Sequence, residues 1–91
     1  MIYADPKDPN DVDDMSLVWT NLLASGETIS TITTTVVTGT VTLGTPSISG
    51  ATTTVRVSAG TAGTQCEVLF RITTSNSRQL DMTLAIPIAS L

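Results

Sequence analysis

From Cys66 to Ile88 the chain alternates apolar and polar residues so regularly that few structures remain open to it. Cys66, Val68, Phe70 and Ile72 alternate with Glu67, Leu69, Arg71 and Thr73. After a polar Ser75-Asn76-Ser77 turn, Leu80, Met82, Leu84, Ile86 and Ile88 alternate with Gln79, Asp81, Thr83 and Ala85. A period of two sends successive side chains to opposite faces, so each run is a strand with one buried and one solvated face. Joined by so short a turn, the two strands form a hairpin. A half-buried sheet of this kind is a scaffold, and its polar face carries no recognisable chemistry.

Ninety-one residues make one domain. A chain of this size buries roughly two-thirds of its unfolded surface and folds with little margin. With Tyr3, Trp19 and Phe70 as its only aromatic residues, the core must come mainly from Val, Ile, Leu and Met. Eighteen residues are threonine. A β-branched side chain that still binds water suits an exposed strand face, so this composition predicts β-structure with a hydroxyl-rich exterior. A glycosylated Ser/Thr stalk would share the composition but not the apolar alternation.

The net charge is −4, and the four basic residues, Lys7, Arg56, Arg71 and Arg78, are scattered. Nucleic acid is therefore not an expected partner, since phosphates require a basic stripe. A membrane is not expected either. No apolar run approaches the roughly 20 residues of a spanning helix, and the start Met1-Ile2-Tyr3-Ala4-Asp5-Pro6 lacks the basic and apolar regions of a secretory signal. The single Cys66 falls on an inward strand face and reads as a small buried hydrophobe without a disulfide partner.

Residues 1–14 differ from the remainder. Between Asp5 and Asp14 there are five aspartates and two prolines, which exclude a helix or a central strand. The expected organisation is an extended acidic N-terminal arm over 1–14 and a β-domain over 15–91. Met15, Leu17 and Trp19 alternate with Ser16, Val18 and Thr20 in a strand expected to run to about Leu22. A helix from Asp13 to Leu23, capped by Asp14, is the competing assignment. Thr28 to Val37 is a Thr-rich strand with Ile32 and Val36 inward. Val41 and Leu43 form a short strand, Ser47 to Gly50 a polar connection, and Thr53, Val55 and Val57 the inward set of the next strand. Gly60-Thr61-Ala62-Gly63 is a tight turn. About seven short strands between Gly, Ser, Pro and Asn turns are the profile of an immunoglobulin-like all-β sandwich, with a small β-barrel as the alternative. Trp19 is the natural plug between its sheets.

Catalysis lacks parts in this chain. Histidine, the usual general base and commonest metal ligand, is absent. No Gly-x-Ser-x-Gly elbow and no Gly-rich phosphate cradle followed by Lys occurs. Neither catalytic nor cofactor or metal residues are assigned. Asp8 to Asp14 has the acid density of a calcium loop, but Pro9 and Val12 interrupt it and the nearest glutamate is Glu27. Exposed strand faces with few charges instead suit a sheet that packs against neighbours in an assembly.

Several ordered fragments resemble small tailed-bacteriophage virion proteins of the fibre–tail adaptor type. They are Lys7-Asp8-Pro9-Asn10-Asp11-Val12-x-Asp14 followed by Trp19, Gly26-Glu27-Thr28-Ile29, Gly39-Thr40-Val41, Gly60-Thr61-Ala62-Gly63-Thr64, and Arg71-Ile72-Thr73-Thr74-Ser75-x-x-Arg78. The set covers about residues 7 to 85. Departures fall at Met15 or Cys66, where a Tyr is usual, at Val18, where an acid is, and at Ser77, where a Gly is. The resemblance implies a non-enzymatic structural subunit, made in the host cytoplasm and present in symmetry-related copies in the neck or tail of a virion. It would connect fibres to the tail or connector. On that reading the contacts with other virion proteins are expected on the arm, at Asp5, Pro6, Asp8, Pro9, Asp11 and Asp14, and on the loops at Ser47, Ser49, Gly60, Thr61 and Gly63. Two other readings are a carbohydrate- or surface-binding module, which would need an exposed aromatic platform from Tyr3 or Trp19, and a secreted adhesin repeat.

Overall fold

A computed structural model describes residues 2–90; residues 1 and 91, the outer ends of the expected arm and domain, lie outside it. The strands are β1 (Ile2–Tyr3), β2 (Asp13–Val18), β3 (Ile29–Thr38), β4 (Val41–Leu43), β5 (Ser47–Ser49), β6 (Thr52–Ala59), β7 (Gln65–Thr74) and β8 (Gln79–Pro87). No helix occurs among the described residues, so the alternation around Met15 and Leu17 prevails over the competing helical assignment.

Two sheets form. One has the order β1-β8-β7-β3; in the other β6 lies between β2 and an edge formed by β4 and then β5. They do not close on each other, which corrects the barrel alternative. The neighbours match the immunoglobulin arrangement: β2, β6 and the β4/β5 edge take the places of strands B, E and D, and β3, β7 and β8 those of C, F and G. All pairings are antiparallel except β1 on β8.

Periodicity explains the core. Cys66 faces Ile86, Val68 faces Leu84, Phe70 faces Met82 and Ile72 faces Leu80, so one side of the β7–β8 hairpin is continuously apolar. Val55 and Val57 from β6, with Leu17 from β2, oppose it, and all of these β6 and β7 residues are buried. Trp19 plugs the gap and is fully buried. Its indole Nε1 donates to Thr53 Oγ1 at 2.9 Å, satisfying two buried polar groups at once.

Element boundaries differ from the sequence expectation: Ile2–Tyr3 of the arm is a strand, and β2 already begins at Asp13, where pairing with Val57 of β6 extends it into the expected arm. β2 stops at Val18 because Trp19 bonds to the turn before β6 (N to Ala51 O, 2.8 Å), after which Leu22 N returns to Trp19 O in a local turn. Ser47–Ser49, expected as a loop, is a strand: Pro46 interrupts the edge, and the chain then resumes pairing with Thr52–Thr54 of β6. Ser47-Ile48-Ser49 holds a single apolar residue, so it lacks the alternation that made the equally short Val41-Thr42-Leu43 readable as a strand.

Candidate functional site

The arm is stitched to the sandwich. Tyr3 aligns with Ala85 of β8, Ala4 N donates to Ala85 O (2.8 Å), Lys7 N to Pro87 O (2.9 Å), and Ala89 N to Lys7 O (2.9 Å). Lys7 is 1% exposed although it lies between two prolines and two aspartates. Its Nζ donates to the carbonyl oxygens of Ala59 (2.7 Å) and Asp8 (2.8 Å), latching the arm to the end of β6. A buried ammonium is tolerated only with such partners. Ala59 turns the chain out of β6 with a positive φ of 64°.

The next turn joins the same corner. Gly63 N donates to Ile88 O and Ile88 N to Thr64 O, both at 2.8 Å. Gly60 has φ 109°, which favours glycine, and a Cβ there would also crowd the Ile88 side chain at 3.1 Å. The structure thus brings Gly60, Thr61 and Gly63 beside the Pro6–Asp8 part of the arm around Ile88. Asp5, Pro6, Asp11, Thr61 and Gly63 are exposed there, whereas Asp8, Pro9 and Gly60 are half-buried. Asn10 N donates to Asp8 Oδ1 at 2.8 Å, holding the arm in a turn.

Asp14 belongs elsewhere. With Ser47 it borders a hollow of about 320 Å³ on the outer face of the β2–β6 sheet, which also includes Gly44, Thr45, Thr54 and Arg56. Arg56 Nε lies 3.0 Å from Asp14 Oδ1, and that hydrogen bond holds the carboxyl below its usual titration range. Ser49 is exposed farther along β5. The eleven sequence-derived positions therefore divide between two patches: a corner of arm and loop, and one sheet face with its edge. No cluster of three or more Asp, Glu, Cys or His positioned to hold a metal occurs among the described residues.

A third constellation, outside the positions expected from sequence, centres on Glu27. Glu27, with a buried side chain, receives two hydrogen bonds from the Arg78 guanidinium (Arg78 Nε to Oε2, 2.9 Å, and Nη2 to Oε1). Thr74 Oγ1 donates to Oε2 (2.5 Å) and Ala24 N to Oε1 (2.8 Å). These donors, Arg78 first, hold the Glu27 carboxyl at about 2 rather than 4.5. Arg78 also donates to Leu22 O at 2.9 Å. The group ties the β2–β3 connection to the β7–β8 turn across 51 residues of sequence. No local pattern reveals such a pairing. The only signal was that Glu27 and Arg78 both lie in the fragments resembling the adaptors, as do Lys7 and Trp19.

Comparison with known families decides among the functional readings. Residues 7–87 match the model of the podophage GP4 fiber-tail adaptor protein gp77 family. The chain belongs to this adaptor family. It is a structural virion protein that connects fibre to tail. Neither a curated protein nor a solved structure matches it. The matched span begins at the latch residue Lys7 and includes every strand from β2 to β8, so the adaptor family and the sandwich coincide almost residue for residue. Trp19, needed on the surface by a carbohydrate platform, is instead core in this adaptor, leaving Tyr3 as the one exposed aromatic residue among those described.

Proposed function

We propose that this adaptor works without turnover, as symmetry-related copies in the neck or tail, and that the corner built by its arm and the Gly60–Thr64 turn meets a neighbouring virion protein. Asp5, Pro6, Asp8, Pro9 and Asp11, with Gly60, Thr61 and Gly63, supply that contact. Asp14, Ser47 and Ser49 supply a second one on the outer sheet face. Assembly is in the host cytoplasm, and nucleic acid is not a partner. The observation that carries this reading is the Lys7 latch: a segment rich in acids is held rigidly by backbone hydrogen bonds instead of trailing free. Holding exposed carboxylates in fixed positions lowers the ordering cost of docking on a basic surface.

Deleting residues 1–12 would remove the latch along with the acids, so charge reversal at exposed positions is the cleaner test. Particles made with D5K/D11K in place of the natural chain should fold the adaptor normally and carry few fibres when imaged by electron microscopy. Full fibre occupancy on those particles would defeat the assignment of the corner.

A further inference from the structure

The sheet ends at β3, whose outer edge is unpaired, although β4, β5 and the Leu43–Pro46 connection approach it. β3 pairs with β7 on one side, and among the described residues no strand pairs with the other. Ten residues long, it has no charge, no proline and no glycine, and nine of the ten are β-branched. Natural sheets normally guard such an edge with lysine, proline or a covering segment. Here the protective devices are confined to the strand ends, where pairing with β7 shifts register between Ile29 and Thr31 and between Val36 and Thr38. The stretch between these irregularities is regular and can accept a strand.

We propose that this edge pairs with the β3 edge of a second copy of the chain, antiparallel and about a two-fold axis at Thr34. The proposal rests on the reading that the adaptor associates with itself, and adds the surface and register. The sequence Ile32-Thr33-Thr34-Thr35-Val36 reads the same in both directions by chemical type, as an isologous contact requires. In this register Ile32 faces Val36 of the second copy and Thr33 faces its Thr35. Apolar inward residues thus oppose apolar ones, and outward hydroxyls oppose hydroxyls, pairings that stabilise a sheet. Residues of like parity face each other, so inner and outer faces stay continuous across the junction.

Charge favours the same arrangement. Two copies of net charge −4 repel, yet five of the eight acids lie between Asp5 and Asp14, on the arm and β2. Association through β3 brings uncharged strands together. Beside the edge, a groove of about 500 Å³ lies between Ile32–Thr34 and the Leu43–Pro46 connection. An incoming strand would find its inward side chains against Leu43 and Pro46.

The test is solution mass by light scattering or sedimentation over about 10 µM to about 1 mM, a range suited to a weak pair. The natural chain should move from 9.5 kDa toward twice that mass. T33K/T35K places like charges opposite each other across the axis and should weaken association by at least about tenfold. It does so while lowering the net charge of each chain, so general repulsion would predict the reverse. T33E/T35K keeps the natural net charge, sets opposite charges face to face, and should restore pairing. Thermal melts accompany both variants because Arg71 of β7, already bound to Asp81, directly faces Thr33. A natural chain that stays monomeric throughout overturns both this proposal and self-association in solution. A dimer indifferent to T33K/T35K leaves self-association standing but moves it off β3. Equal weakening by both variants overturns the two-fold register.

Discussion

The two lateral margins of this sandwich solve the same problem differently. Where β8 meets the arm, the edge is covered: β1 adds a short parallel strand, Lys7 is buried against Ala59, and aspartates crowd the approach. At β3 the edge is long, neutral and unpaired among the described residues. Both margins enclose one core, so hydrophobic burial alone did not require them to differ. The difference lies in polar groups. Charge and an immobilised arm make the first margin selective for a charged partner, whereas the second offers only backbone hydrogen bonds and β-branched side chains, which suit another strand.

The two margins share one core, and a loss there should affect both. Trp19→Ala removes the largest fully buried side chain and should destabilise the fold by about 3 to 5 kcal/mol, much of what so small a domain possesses. Denaturant unfolding would register the loss, and amide exchange should rise at both margins together. A cost under about 1 kcal/mol would mean that Trp19 is not the plug between the sheets.

A narrower change should separate the margins. Lys7→Met keeps the chain length and apolar volume but leaves the Ala59 carbonyl without its ammonium donor, at a cost of about 2 kcal/mol. Amide exchange should quicken at Ala89, Gly63 and Lys7's own position while the β3–β7 ladder keeps its protection. Equal acceleration in β3 would show that the latch supports the entire fold rather than one margin.

Acid should produce the smallest effect, at the start of β3. Glu27 titrates at about 2 in the folded protein against an ordinary 4.5, so the folded state binds fewer protons than the unfolded state between those values. Its stabilisation is complete above about pH 4.5 and disappears as pH falls toward 2. Glu27→Gln should flatten the dependence of melting temperature on pH in that window. An unchanged slope would transfer the acid sensitivity to Asp14 and Asp81, which Arg56 and Arg71 also hold below the usual range.

How much was legible follows from the range of each interaction. Alternation from Cys66 to Ile88 determined the hairpin, its inward residues and the all-β class, because a period of two is a local property of the backbone. Ile32, Val36, Val55 and Val57 were legible for the same reason. Ser47–Ser49 was not, since only pairing with β6 makes so short a segment a strand. The Thr-rich composition determined that a strand could stand in solvent, but only the sheet order determined that β3 is the strand left at an edge. Lys7 gives the clearest contrast. A lysine among aspartates and prolines reads as solvated, and its burial depends on Ala59, 52 residues away. Glu27 and Arg78 are likewise brought together by the packing of two turns. Side-chain periodicity is written along the chain, whereas the partner of a buried charge is chosen by tertiary structure, because desolvation penalises any charge whose distant acceptors fail to arrive.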